Sequence, residues 1–248
     1  MTSQPVAATP IVYPDSDGMP MADNTKQFRA IVTIQGNLDA LFRERADVFV
    51  AGDLLWYPIE GRPDIRRAPD VMVVFGRPKG DRGSYRQWEE DNIAPQVVFE
   101  VLSPNNTLTE MAATLEFYDI YGVAEYYLYD PDTGDMSGWQ RIDNWLRVIS
   151  ELDGWVSPRL GITFGRTADG MQMYWPDGRP FVRFVELQAQ AEQERQRAEQ
   201  ERQRAEQERQ RAEQERQRAE RERQRAEQER QRAERLAERL RALGVYPE

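Results

Sequence analysis

The chain has 248 residues and carries 43 acidic against 33 basic side chains, a formal net charge of -10. It contains 0 Cys and 0 His, which excludes Cys/His zinc sites, Ser-His-Asp and Cys-His triads, histidine general bases and disulfides. Chemistry must rest on carboxylates, hydroxyls, arginines, a few lysines or an ion held by oxygen, and oxygen donors favour Mg²⁺ or Mn²⁺ over softer metals.

An acidic chain exerts no long-range pull on nucleic acid, so contact with DNA requires a local basic patch. The lack of cysteine, of a basic-then-apolar leader and of a long apolar span leads us to expect a soluble cytoplasmic protein without membrane association. Composition changes sharply near Leu187, and the chain is read as three parts. Residues 1–12 are small, polar and expected to be disordered, 13–183 form a globular head, and 184–248 form a long charged helix.

In the head, turn formers from Tyr13 to Thr25 lead into a helix expected from Thr25 to about Glu44, with Phe28, Ile31, Val32, Leu38, Leu41 and Phe42 facing inward. Gly36 and Asn37 weaken its middle. Val48–Tyr57 reads as a strand broken at Gly52, and Ala68–Phe75 as a strand carrying Asp70. The polar segment from Gly76 to Asn92 is the head's basic, glycine-rich loop, with Arg77, Lys79, Arg82 and Arg86 as candidate phosphate contacts and Trp88 beside them. Surface solvation is the ordinary alternative for such residues.

Gln96–Leu102 is the next strand, ended by Ser103-Pro104-Asn105-Asn106. A helix is expected from about Thr109 to Tyr121, burying Met111, Ala112, Leu115 and Tyr118, and Gly122 stops it. Short strands follow at Glu125–Tyr129, Met136–Arg141, Asn144–Ile149, Gly154–Val156, Ile162–Phe164 and Met171–Trp175. Tyr118, Tyr121, Tyr126 and Tyr127 are expected to pack the helix-to-strand connection rather than stack on bases. The head is therefore α/β or α+β with a mixed sheet. No glycine-rich phosphate loop follows any strand, which argues against a doubly wound nucleotide fold.

From Ala191 to Ala233 an alanine recurs every seventh residue within the block Glu-Gln-Glu-Arg-Gln-Arg-Ala, predicting a helix from about Phe184 to Leu243, on the order of 85 Å long. With alanine at position a, position d is glutamate until Leu236, so a continuous apolar seam is missing. Glu–Arg pairs at i,i+3 and Arg–Glu pairs at i,i+4 are expected to cover the surface. The pattern supports a solvated single helix and a weak self-associating coiled coil equally. Only Phe184 and Leu187 at one end, and Leu236, Leu240 and Leu243 at the other, restore the frame.

Two apolar strands each hold one carboxylate near an end, Asp70 before Val71-Met72-Val73-Val74-Phe75 and Glu100 after Val97-Val98-Phe99. On neighbouring strands the two could meet at one Mg²⁺ or Mn²⁺, with the Val101 carbonyl as a further oxygen ligand. Such an ion polarises a phosphodiester and acidifies water, which allows hydrolysis without histidine. A strand-end acid is equally a cap or a solvated rim residue. Asp23 reads as a helix cap, Asp53 as a strand end or a site acid, and Gln96 as a site-lining or an edge residue.

Pro69-Asp70-Val71, then Val98-Phe99-Glu100-Val101-Leu102-Ser103-Pro104, then the run from Phe117 through Tyr118, Gly122, Glu125 and Tyr129 to Pro131 together resemble the Uma-two family of restriction-endonuclease-like proteins. That family lies within the PD-(D/E)XK nuclease superfamily, and the resemblance spans roughly Tyr13 to Leu187. It implies a restriction-endonuclease-like mixed sheet flanked by helices, a metal-dependent endonuclease activity on DNA, Asp70 and Glu100 as metal ligands, and a further site acid near the first helix, for which Asp23 is the nearest match. The superfamily's catalytic lysine would stand at Leu102. In the resembling family it stands one turn before the tyrosine matching Tyr118, at Thr114 here.

A threonine at position 114 can hydrogen-bond but supplies no charge, so Lys26 and Lys79 are the candidate replacements. The resemblance therefore implies either a Mg²⁺-dependent endonuclease or a catalytically degenerate relative. The degenerate form would act as an oligomerising adaptor through the helical tail or grip nucleic acid through the basic loop.

Overall fold

Runs of β-branched residues with no charge inside them can only be buried on both faces, and two such runs form the centre of this fold. The computed structural model describes residues 11–18 and 20–242. The expected disorder of residues 1–10, the role of Leu243 and the side chains of Phe184, Leu187 and Leu240 lie outside what is described. The chain divides into two units, split after Glu186.

In the first unit the six-stranded sheet has the order β1-β3-β5-β6-β7-β8, with β1 at Val48–Gly52, β3 at Val71–Phe75, β5 at Val97–Val101, β6 at Glu125–Tyr129, β7 at Met136–Ile142 and β8 at Trp145–Val148. All neighbours are antiparallel except β5 and β6, which run parallel. A parallel pair needs a crossover, here helix α2 (Leu108–Ile120). Small two-stranded additions are β2 (Trp56–Tyr57) with β4 (Tyr85–Arg86), and β9 (Thr163–Thr167) with β10 (Gly170–Tyr174). The basic loop thus contains a strand, and a short 3₁₀ turn at Gln87–Glu89. The expected strand at Gly154–Val156 is reduced to a single bridge between Val156 and Thr163.

Alternation sorts the central strands between two cores. Val71, Val73, Val97, Phe99 and Val101 face helix α1 (Thr25–Leu41) and residues of β9 and β10, including Phe164, Met171 and Met173. Met72, Val74, Val98 and Tyr126 face the other way, against Trp56, Tyr85 and Tyr118. Each such side chain, fully buried, is worth roughly 1.5–3 kcal/mol, so sheet register is set by burial.

Asn24 caps α1 by accepting from the backbone N–H groups of Lys26 and Gln27, both at 2.9 Å. The cap is therefore not Asp23. The expected inner face of α1 is corrected as well. Phe28 and Val32 are 47% and 43% exposed, while Gln27, Ile31, Ile34, Asn37 and Leu38 are buried.

The inward turn of the two amides follows from their partners, because a buried amide is tolerated once paired. Asn37 donates to the carbonyls of Thr33 and Val182 and accepts from the Trp175 indole. Gln27 bridges the Val101 carbonyl and the Asp23 N–H.

A capping box between Thr107 and Glu110 opens α2, and Gly122, with φ of 86°, follows it. Its buried residues are Thr114 and Tyr118, whereas Ala112, expected inside, is exposed. The four tyrosines do pack. Tyr118, Tyr126 and Tyr127 are buried, and Tyr121 lies edge-on to Trp56.

The second unit is the body of helix α3, which spans Phe184–Ala242. Its repeating contact differs from the expected ion pairs. In each heptad the Gln that stands between two arginines donates its side-chain amide to the Glu one turn earlier, from Gln196 to Glu192 through Gln231 to Glu227. Beyond residue 187 one ion pair is formed among the described residues, Arg230 to Glu234 at 3.4 Å. No described helix is long and apolar enough to cross a membrane.

Candidate active site

The register of β3 on β5 pairs Val71 with Phe99, which brings Asp70, one residue before the strand, opposite Glu100. Both acids open into a cleft of about 800 Å³ at the C-terminal end of β5, where parallel strands leave their loops. Asp53 and Asp23 line the same cleft. Asp53 stands at a positive φ of 49°, and its N–H donates to the Pro69 carbonyl at 3.1 Å. Asp23 accepts from the Asn105 side chain at 3.2 Å.

Each of the central acids is anchored by one oxygen. Asp70 Oδ2 accepts from the Val101 N–H at 2.6 Å, and Glu100 Oε1 accepts a short bond from the Tyr118 hydroxyl. The two carboxyls stand close enough for each to alter the other's proton affinity.

Burial, then the charge of Glu100, pushes Asp70 from its usual 3.8 up to about 9. Burial also raises Glu100, against the stabilising bonds from Tyr118 and Asp70. Two such acids cannot both ionise cheaply, and the pair holds a proton near neutrality. Burial raises the Tyr118 hydroxyl as well, with Glu100 adding to the shift, so Tyr118 acts as a donor.

The Val101 carbonyl accepts from Gln27 Nε2 at 2.9 Å, which uses one of its two lone pairs and fixes its direction. Two carboxyls and a carbonyl form a hard, all-oxygen donor set of the type that holds Mg²⁺ alongside retained waters. Among the described residues no group of three or more His, Cys, Asp or Glu side chains is arranged as a metal cluster.

Thr114 lines the cleft one helical turn before Tyr118 and is 3% exposed. The candidate replacement lysines lie elsewhere. Lys26 pairs with Asp132 at 2.8 Å and Lys79 with Asp39 at 2.9 Å. Nor does the basic loop reach the cleft. Arg77 and Arg82 both bind Glu90, at 2.7 and 2.6 Å, and Arg86 reaches Glu89 and the Tyr13 ring. These arginines and Lys79 neutralise local acids, which leaves little charge for phosphate. Gln96 is an edge residue, its Oε1 accepting from the Phe75 N–H at 2.7 Å.

Four contributors escape the sequence reading. Tyr118 is both a packing ring and the anchor of Glu100. Gln27 orients Val101, and Arg66 and Arg67 line the cleft. The signal for the arginines was their position directly before Ala68-Pro69-Asp70.

Residues 18–177 match the family model Uma2, described as "Putative restriction endonuclease". A crystal structure of a "putative nuclease" from Anabaena variabilis aligns with a TM-score of 0.42 at 16% identity, covering 56% of this chain and 75% of that one. No curated protein matches the chain.

Proposed function

This chain belongs to the Uma2 family, described as putative restriction endonucleases, and from that premise we propose that its cleft hydrolyses DNA phosphodiester bonds with the help of Mg²⁺ or Mn²⁺. The observation that carries this reading is the pair Asp70 and Glu100, two carboxyls forced together in a cleft and holding a proton that a cation would displace. Asp70, Glu100 and the Val101 carbonyl are the groups that would hold the ion. A divalent cation there polarises the phosphoryl oxygen and acidifies water.

The remaining parts position the donors. Tyr118 holds one oxygen of Glu100, the Val101 N–H holds one oxygen of Asp70, and Gln27 holds the Val101 carbonyl in place. A DNA backbone fits an acidic cleft only with cations between them, since the phosphates would otherwise be repelled. Cleavage of plasmid and oligonucleotide DNA in Mg²⁺ and Mn²⁺, compared with Asp70→Ala and Glu100→Ala, tests this. Activity surviving both substitutions sinks it.

A second reading is favoured by Thr114, because no lysine lines the cleft. On that reading the head is a catalytically degenerate nuclease fold that binds nucleic acid or serves as an adaptor, with α3 as its self-association element. Metal binding without product, together with a dimer in sedimentation of the full chain, supports it.

A further inference from the structure

Arg66 and Arg67 are the basic residues of the cleft, and its other charged lining residues are all acidic. The two arginines differ. Arg66 spends its guanidinium on its own loop, donating to the Pro63 carbonyl at 2.7 Å. The Arg67 guanidinium makes no hydrogen bond or ion pair to any described residue. Its carbon lies 5.8 Å from the centre of the Phe117 ring, a contact that leaves the five N–H donors free.

The Arg67 backbone, by contrast, is fixed. It exchanges two hydrogen bonds with Trp56, at 2.7 and 3.2 Å, and Trp56 is fully buried. Arg67 lines the same cleft as Asp70 and Glu100, and the Phe117 ring under its guanidinium packs on Tyr118, whose hydroxyl donates to Glu100. Arg77, Arg82 and Arg141 are tied to acids, whereas Arg67 brings uncommitted donors on a fixed backbone to the cleft that holds the two carboxyls.

We propose that Arg67 is a catalytic residue of this cleft, binding the non-bridging oxygens of the scissile phosphodiester and supplying the positive charge that Thr114 does not. The inference rests on the nuclease reading. Hydrolysis forms one P–O bond to water and breaks one P–O bond to the leaving sugar oxygen, which takes up a proton. Negative charge gathers on the non-bridging oxygens between those events, and a planar fork matches them in a way a point charge does not.

The test uses the full chain with Arg67→Gln, Arg67→Lys and the distant control Arg43→Gln, whose side chain pairs with exposed Glu44. Binding of a fluorescent duplex DNA is followed by anisotropy in Ca²⁺ across a salt series. Cleavage is followed in Mg²⁺ and Mn²⁺. Arg67→Gln should flatten the slope of log affinity against log salt by about 0.9, the value for one lost phosphate contact. It should lower kcat on the order of 100-fold, Arg67→Lys should recover part of both losses, and Arg43→Gln should match the parent.

If the parent binds and cleaves and Arg67→Gln equals it in both, the Arg67 inference fails while the nuclease reading stands. If the parent binds without cleaving, the nuclease reading fails and the catalytic role of Arg67 fails with it, whatever the salt slope. A parent that neither binds nor cleaves overturns both.

Discussion

Replacing Asp70 by asparagine should stabilise the metal-free protein while removing its response to divalent cations. In the folded chain Asp70 keeps its proton up to about pH 9, whereas the unfolded chain loses it near 3.8. Below the lower value both states are protonated and there is no penalty. As pH rises through that window, the unfolded state binds fewer protons than the folded one, so stability falls. The loss approaches 1.4 kcal/mol per pH unit for one retained proton, about 2 to 3 kcal/mol between roughly pH 5 and pH 7. Asparagine keeps an oxygen for the Val101 N–H and has no charge to lose. Urea unfolding across that range, without metal, should show the parent losing stability relative to Asp70→Asn as pH rises, with the variant the more stable at neutrality. Mg²⁺ or Mn²⁺ should close the gap by stabilising the parent alone. Equal pH dependence in the two proteins, or equal metal stabilisation, would refute the argument that the acid pair is forced together and poised for a cation.

Thr114→Lys places an ammonium one helical turn from Tyr118 and should raise cleavage in a Mg²⁺ assay, with no gain if the cleft is not a nuclease site. Tyr118→Phe leaves a Glu100 oxygen without its donor and should cost about 1–3 kcal/mol in urea unfolding, together with weaker metal binding measured by calorimetry. Gln27→Leu removes the partner of the buried Val101 carbonyl and should cost a similar 1–3 kcal/mol, whereas Phe28→Ala, on the exposed face of α1, should fall within about 0.5 kcal/mol of the parent.

Much of the scaffold could be read from pattern alone. Strong apolar runs gave β3, β5 and β6 close to their true bounds, and the capping signals gave α1 and α2 to within a few residues. The helix after Phe184 followed from its repeat. The errors have a common source. Phe28 and Val32 looked like core by hydropathy, and nothing marked Gln27 and Asn37 as buried, because a single sequence shows apolar character and not the distant partners that satisfy a buried amide. Val101 lies far along the chain from Gln27, as do Val182 and Trp175 from Asn37. The pairing inside the basic loop was equally illegible, because Glu90 and Asp91 stand among its own residues and only the folded turn brings them onto Arg77 and Arg82.

For the site, the sequence by itself determined which acids were available and at which strand ends they stood, since the absence of histidine and cysteine left carboxylates as the main candidates. Residue order also placed the two β-branched runs that carry Asp70 and Glu100. Only tertiary structure decided that these acids share one cleft, that Tyr118 and the Val101 N–H each occupy one of their oxygens, and that Arg66 and Arg67 line that cleft while the basic loop does not. Hydropathy and periodicity are local properties of the chain. Charge pairing and proton affinity depend on what lies a few ångströms away in space, and that is fixed only when strand register and helix docking are complete.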